Sequence, residues 1–441
     1  MIPVYRFGTN EGREGVEQLL RRLRLDAADM ALSRGEYAQA AARVQEILAD
    51  VARRGDEAVV ESSRKFDDPN FTAQQIRVSR EEMSAAAGRV PAELMSALRR
   101  SIAQVREYQS HIIPREPQPL RRDGLELGLR FTPLDSAGLY FPGGKASYPS
   151  SLIMLAVPAQ VAGVKKIVVC TPPSRYGRSD LVLAACHELG LEHVCLAGGA
   201  AAIAAMAFGT ASIPAVDKIV GPGNLYAQLA KRALAGSVGI DGFLGPSEIL
   251  VIADETGHAD FIAADLIAQA EHDPGSCWLL TTSPRLAEDV TGELERQAKL
   301  LGRSTAIEKA LRYSSAIVVD PSMDVLVELV NQFAAEHVNV QCRDEKAVLA
   351  KLMHAGAVFL GPHSPVAAGD YVAGPSHCLP TNTTARFSSG ISVYEFLKRS
   401  SVVRYDEQSL SRDSAAIVAL ADAEGLDGHA ASVKVRAAQR G

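Results

Sequence analysis

Three stretches of this chain place a titratable or metal-ligating side chain near a second polar group, and a fourth carries a lone histidine. Gln269 and His272 stand three apart where the pattern is helical, so both leave one face and can share an ion, although such a pair is ordinarily a solvated helix edge. Glu336-His337 precedes the strand-like Val338-Asn339-Val340. An imidazole titrates near neutrality and a neighbouring carboxylate can activate water or orient the ring, yet Glu-His at such a junction is commonplace. Asp370 and His377 share one Gly/Pro-punctuated loop read as lying beyond the strand Ala357 to Leu360, where open α/β sheets put their chemistry; a surface turn is the alternative. His429, among Gly428, Ala430 and Ala431, reads by itself as an exposed helix histidine. Gln, His, Asp and His together would form an N/O site that suits zinc, with manganese or cobalt as substitutes.

Phosphate-binding patterns are mostly absent. No G-x-G-x-x-G occurs, so a standard dinucleotide fingerprint is missing. Pro142-Gly143-Gly144-Lys145-Ala146 half-resembles a Walker loop, but Leu139 and Ala146 replace the required Gly and Ser/Thr, which rejects a nucleoside-triphosphate site. Gly221-Pro222-Gly223-Asn224 sits where a strand should meet a helix and could cradle a phosphate; a plain βα turn is the ordinary reading. The six cysteines occur singly without a CxxC pair, as reduced thiols do, and Cys378 reads as a buried structural thiol more readily than a nucleophile.

The elements that must hold these groups follow from periodicity. From Gly15 to about His111 apolar residues recur at helical spacing, and a strand-like pair follows, Leu125 to Phe131 and Ala137 to Phe141. Short apolar runs then alternate with helical stretches twice, from Ile167 to Val220 and from Ile249 to Leu360, which predicts βαβ units and parallel sheets in two Rossmann-like halves. From Phe387 a tail carries two amphipathic helices, Ser409 to Ala423 and Asp427 to Ala438, of a kind that docks on a partner subunit. At 441 residues, with about 100–200 residues per domain, the chain holds several units.

A net charge of −6 with scattered basic residues offers no face for a nucleic acid or an anionic membrane, so a small-molecule substrate is expected. Leu152 to Val164 is too short and too interrupted for the ~20 residues of a membrane span. Met1 to Arg6 lacks the order of a signal peptide, which makes a cytoplasmic location the expectation.

Taken in order, Gly138 to Lys145, Gly221 to Asn224, Gly245-Pro246-Ser247-Glu248, Gln269-Ala270-Glu271-His272, Glu336-His337, Gly369 to His377, Thr384 to Gly390 and Glu424 to His429 resemble the histidinol dehydrogenase family over nearly the whole chain. The resemblance implies an NAD-linked, four-electron oxidation of L-histidinol to L-histidine through the aldehyde, the last steps of histidine biosynthesis. It implies one zinc ion per subunit held by Gln269, His272, Asp370 and His429. Glu336 and His337 would be the acid-base pair; Ser247, His377 and Glu424, with His337 and the metal ligands, would contact substrate, and Tyr140 and Asn224 would contact NAD. The implied fold is α/β, two incomplete Rossmann-like domains with helical N- and C-terminal extensions, in a domain-swapped homodimer with shared active sites. The corresponding divisions are 1–30, 31–140 with 247–386, 141–246, and 387–441.

Three positions depart from the family pattern. Ala201 replaces a glutamine that contacts NAD, a loss worth roughly 1 kcal/mol or a shift of cofactor preference. Leu155 replaces an asparagine, and Asn382-Thr383 replaces Gly-Gly. The competing readings are a paralogous zinc/NAD dehydrogenase acting on another small polar alcohol such as a sulfonated diol, a zinc hydrolase using Glu336, and a non-catalytic binding protein.

Overall fold

The computed structural model describes residues 2–24, 27–143, 146–242, 245–272 and 274–437. Gly144 and Lys145 of the expected turn and Ala438 of the expected last helix lie outside the described residues. Strands Val4–Arg6 (β1), Leu120–Arg122 (β2), Leu125–Pro133 (β3), Ser136–Tyr140 (β4), Lys166–Thr171 (β5), His193–Leu196 (β6) and Lys218–Val220 (β7) come first along the chain. Gly239–Ile240 (β8), Ser247–Ala253 (β9), Gly275–Thr281 (β10), Ala316–Val319 (β11), His337–Gln341 (β12), Ala357–Leu360 (β13) and Leu397–Tyr405 (β14) follow.

The chain divides into two compact units, Met1–Ile112 with Asp135–Phe396 and Ile113–Leu134 with Leu397–Gly441. The larger unit contains two sheets whose strands all run parallel: β6-β5-β4-β7-β8 and β1-β11-β10-β9-β12-β13. Apart from the edge strand β1, each sheet starts at a central strand, grows to one side and then reverses, so β4 neighbours β7 and β9 neighbours β12. The smaller unit holds the antiparallel sheet β14-β3-β2 and the helices Glu407–Ala423 and Asp427–Ala437.

β9 is apolar on both faces because both are covered. Ile249, Val251 and Ala253 pack in one core with helices Ala259–Ala270, Pro284–Ala298 and Ser304–Tyr313, whereas Leu250 and Ile252 pack in another with Asn10–Leu23 and Met323–Phe333. Each of these Ile, Leu and Val side chains contributes about 1.5–3 kcal/mol by leaving water. Among the described residues no helix is long and apolar enough to cross a membrane.

Several expected boundaries are met differently. β1 pairs with β11, so residues 1–30 do not stand as a separate extension; a three-residue edge strand is too short to show a period. The expected division after residue 140 would detach β4 from the five-stranded sheet, of which it is the central strand. The helices Ala38–Arg54, Arg80–Arg89 and Ala92–Ile112 pack on Gly199–Phe208, Asp180–Glu188 and Pro149–Ala162, the helices around that same sheet. β3 and β4, expected as a pair, belong to different sheets: β3 pairs with β14 up to Pro133. The tail is therefore not wholly helical, since β14 opens its part of the smaller unit.

The turn after β7 is held by a buried ion pair. Lys231, 1% exposed at its side chain, pairs with Asp241, 0% exposed, and its Nζ donates to the Gly221 carbonyl at 3.0 Å. Asp241 Oδ2 accepts the Gly221 N–H at 2.5 Å. Gly221 has φ +120°, and a Cβ there would lie 1.9 Å from the Tyr140 carbonyl oxygen, so this turn requires glycine. Asp241→Ala leaves an uncompensated buried ammonium and should cost about 3–5 kcal/mol of stability, read by chemical denaturation.

Candidate active site

The amino ends of β9 and β12 lie side by side, His337 in register with Ile249. Ser247 opens β9, His337 opens β12, and Glu336 precedes it. Gln269 lies in the last turn of Ala259–Ala270, whereas His272 lies beyond the C-cap Glu271; its N–H donates to the Gln269 carbonyl at 3.2 Å. A tightened turn thus brings this pair together, rather than one continuous helix. Gly275, the first residue of β10, makes room for that turn: a Cβ there would lie 2.2 Å from the Gln269 carbonyl oxygen. Asp370, expected in a loop, occupies the short helix Val366–Tyr371 after β13. That helix carries it back to the amino edge of the six-stranded sheet, 3.8 Å from His337, and not to the carboxyl edge where the expectation put it.

Ser247, Gln269, His272, Glu336 and His337 line one cavity of about 220 Å³ together with Asp370 and His377. His337 Nδ1 is 2.9 Å from the Glu248 carbonyl oxygen. A carbonyl only accepts, so Nδ1 carries the hydrogen and Nε2 of the neutral ring keeps its lone pair, facing Asp370 Oδ1. Burial holds the His337 pKa below its ordinary value, against the pull of Asp370. His377 Nδ1 likewise bonds the Asp370 carbonyl at 2.8 Å, which leaves Nε2 to accept from the Ser151 hydroxyl at 3.1 Å. Burial pushes Glu336 well above the usual carboxylate range, against the pull of the Glu248 N–H, and the charges of Glu248 and Asp370 add to the rise. Cys378 also lines the cavity, and burial raises its thiol pKa, as befits a structural thiol.

Gln269, His272 and Asp370 suit a cation on one further ground. None of their side-chain atoms has a hydrogen-bond partner among the described residues, and burial raises the Asp370 pKa. An amide, an imidazole and a carboxylate without hydrogen bonds around one cavity are a borderline N/O donor set, with Asp370 Oδ1 3.8 Å from His337 Nε2 and 4.0 Å from His377 Nδ1. Among the described residues no three His, Cys, Asp or Glu side chains gather closely enough to hold an ion by themselves. Glu424 and His429 belong to the smaller unit, where Glu424 caps Glu407–Ala423, His429 lies in Asp427–Ala437, and both are exposed.

A second cavity, about 940 Å³, opens at the carboxyl edge of the five-stranded sheet. Tyr140, the last residue of β4, accepts the Gly199 N–H at 3.0 Å, and Asn224 caps the helix Leu225–Leu234 through the Ala227 N–H at 3.1 Å; both line this space. Pro142 and Tyr148 line both cavities, which therefore adjoin. Ala201 faces the interior, 2% exposed, while its neighbour Ala200 lines the cavity. Leu155 is fully buried.

Two residues were not singled out by sequence. Glu248 is a carboxylate at the head of an apolar central strand, a signal that was legible. Asp67, just past the helix Asp56–Phe66, lines the larger cavity, and nothing local marks it. Its carboxylate has no hydrogen-bond partner among the described residues, and burial raises its pKa to about 6. The folded protein thus holds a proton that an unfolded aspartate releases near 3.8, and stability is lost as pH rises through that window. Asp67→Asn should be more stable than the ligand-free wild type by about 1–2 kcal/mol above pH 7 and equal to it below about pH 4, read by melting across pH.

The sequence profile of the histidinol dehydrogenase family matches residues 31–437. A histidinol dehydrogenase of Synechococcus sp. is 48% identical over 398 residues, 90% of this chain and 92% of the relative. One from Gluconobacter oxydans is 45% identical over 413 residues, 93% of this chain and 96% of the relative. The crystal structure of histidinol dehydrogenase from Elizabethkingia anophelis superposes with a TM-score of 0.88 at 33% identity, covering 94% of this chain and 97% of that one. On these matches the chain belongs to the histidinol dehydrogenase family of oxidoreductases.

Proposed function

We propose that this protein oxidises L-histidinol to L-histidine in two steps, each passing a hydride to NAD, as a homodimer with one zinc ion per active site. The observation that carries this reading is the adjacency of two cavities, one lined by Glu336, His337 and the N/O donors, the other by Tyr140 and Asn224. A primary alcohol gives up a hydride and a proton to become an aldehyde; the aldehyde adds water, and the hydrate gives up a second hydride and a second proton to become the acid. Both halves need a proton acceptor and a space that retains the aldehyde.

His337 is oriented for the first task, since the Glu248 carbonyl fixes its tautomer and burial keeps it neutral, with Nε2 free to take the alcohol proton. Glu336, 7% exposed with a raised pKa, is the group that exchanges a proton with the water adding to the aldehyde. Gln269, His272 and Asp370, completed by His429, would hold zinc, which when bound supplies a fixed positive charge that orients the imidazole and amine of the substrate. Ser247 and His377 line the same cavity and are the substrate contacts on this side, with Glu424 from the smaller unit. The larger cavity takes NAD, which supplies the hydride acceptor, against Tyr140 and Asn224.

What supports a shared site is the character of the smaller unit. Val402, Val403, Leu420 and Val435 are 47%, 60%, 67% and 57% exposed there, apolar surface that a second copy would cover. Glu424 and His429 then complete the partner's cavity.

Zinc-loaded protein given L-histidinol and NAD should form two NADH per substrate, and His337→Asn should lower kcat about 10²–10⁴-fold. One NADH per substrate, or turnover of other alcohols only, would overturn the assignment. Chelation of the metal should abolish turnover and added zinc should restore it. His429→Ala and His337→Asn, each inactive alone, should regain about a quarter of wild-type activity after subunits are mixed and exchanged; no recovery would mean that each site is built from one chain.

A further inference from the structure

Glu248 is 2% exposed and does not line the substrate cavity, yet it is bonded to both residues of the acid-base pair. Its side chain accepts the Glu336 N–H on Oε2 at 3.3 Å and the Asn382 N–H on Oε1 at 2.8 Å. Its backbone does the reverse: the N–H donates to Glu336 Oε2 at 2.9 Å, and the carbonyl accepts from His337 Nδ1 at 2.9 Å. Glu336 Oε2 is thereby tied down, which leaves Oε1 as the oxygen free to work in the cavity.

The far side of Glu248 is clamped by an unusual turn. Asn382 and Thr383 have φ +54° and +63°, a conformation that side chains with a Cβ rarely adopt. Thr381 Oγ1, just before them, accepts the Gly245 N–H at 2.6 Å. The chain holds this strained turn although it carries no glycine, and the turn fixes both the segment that leads into β9 and the outer oxygen of Glu248. A carboxylate buried at the head of a central strand is costly unless bonded, and these bonds all lead to the pair or to the turn behind it.

We propose, on the catalytic reading above, that Glu248 is a positioning residue: by accepting the Glu336 and Asn382 N–H groups its side chain holds its own backbone N–H and carbonyl where they orient Glu336 and fix the tautomer of His337. The test compares Glu248→Gln and Glu248→Ala with wild type in the zinc-loaded enzyme, by steady-state kinetics and by ¹⁵N-histidine spectra in which His337→Asn assigns the His337 signal. Glu248→Gln, which keeps one acceptor oxygen and the volume, should lower kcat about tenfold, and Glu248→Ala about 10²–10³-fold, with both KM values within about threefold of wild type. The protonated Nδ1 signal of His337 should persist in the Gln variant and be lost to exchange in the Ala variant. A kcat for both variants within about twofold of wild type, or kcat, KM and melting temperature all shifting together in Glu248→Gln, would overturn the proposal. Should the wild type fail to oxidise histidinol, the spectra still decide: loss of the Nδ1 signal in Glu248→Ala sustains positioning, and an unchanged His337 signal overturns it.

Discussion

Ladder hydrogen bonds between β9 and β12 set His337 beside Ile249, and one step further out Glu248 and Glu336 reach each other's backbone N–H groups. Parallel strands so paired must be central and covered on both faces, which is why β9 is apolar from Ile249 to Ala253. The site sits where that apolar run stops. Ser247, Glu336 and His337 come to one edge because the strands begin there together, and the turn after Ala259–Ala270 and the helix Val366–Tyr371 bring Gln269, His272 and Asp370 to meet them.

Burial dominates the electrostatics of this edge. It favours neutral imidazoles at His272, His337 and His377 and raises the proton affinity of Glu248, Glu336 and Asp370, the first of these to a pKa of about 7. Lining a small cavity with desolvated acids and bases costs stability, as such sites usually do, and the hydrogen bonds of Glu248 offset part of that cost.

Apart from the edge strand β1, the two sheets share one strand order, but they open their cavities at opposite edges. The five-stranded sheet opens its cavity at the carboxyl ends of its strands, the usual place for a ligand in an open α/β sheet, beside the reversal between β4 and β7. The six-stranded sheet uses its amino ends. Pro142 and Tyr148 stand at both spaces, so a molecule in one can reach a molecule in the other.

Much of this was legible in the sequence. Alternating apolar runs gave the parallel strands, the spacing in Gln269-Ala270-Glu271-His272 and Glu336-His337 marked groups that do meet, and the ordered motifs pointed to the family. These are local signals, set by side-chain period and by residue type. What they could not settle was long-range partnership: that β1 joins β11, that β3 joins β14 and not β4, that the helices Ala38–Arg54, Arg80–Arg89 and Ala92–Ile112 belong to the five-stranded sheet, and that Asp370 returns to the amino edge. Asp67 and the role of Glu248 were hidden for the same reason. A residue's type and neighbours determine which bonds it can make, but only the packing of distant segments decides which groups are buried, how their pKa values shift and which partners they find.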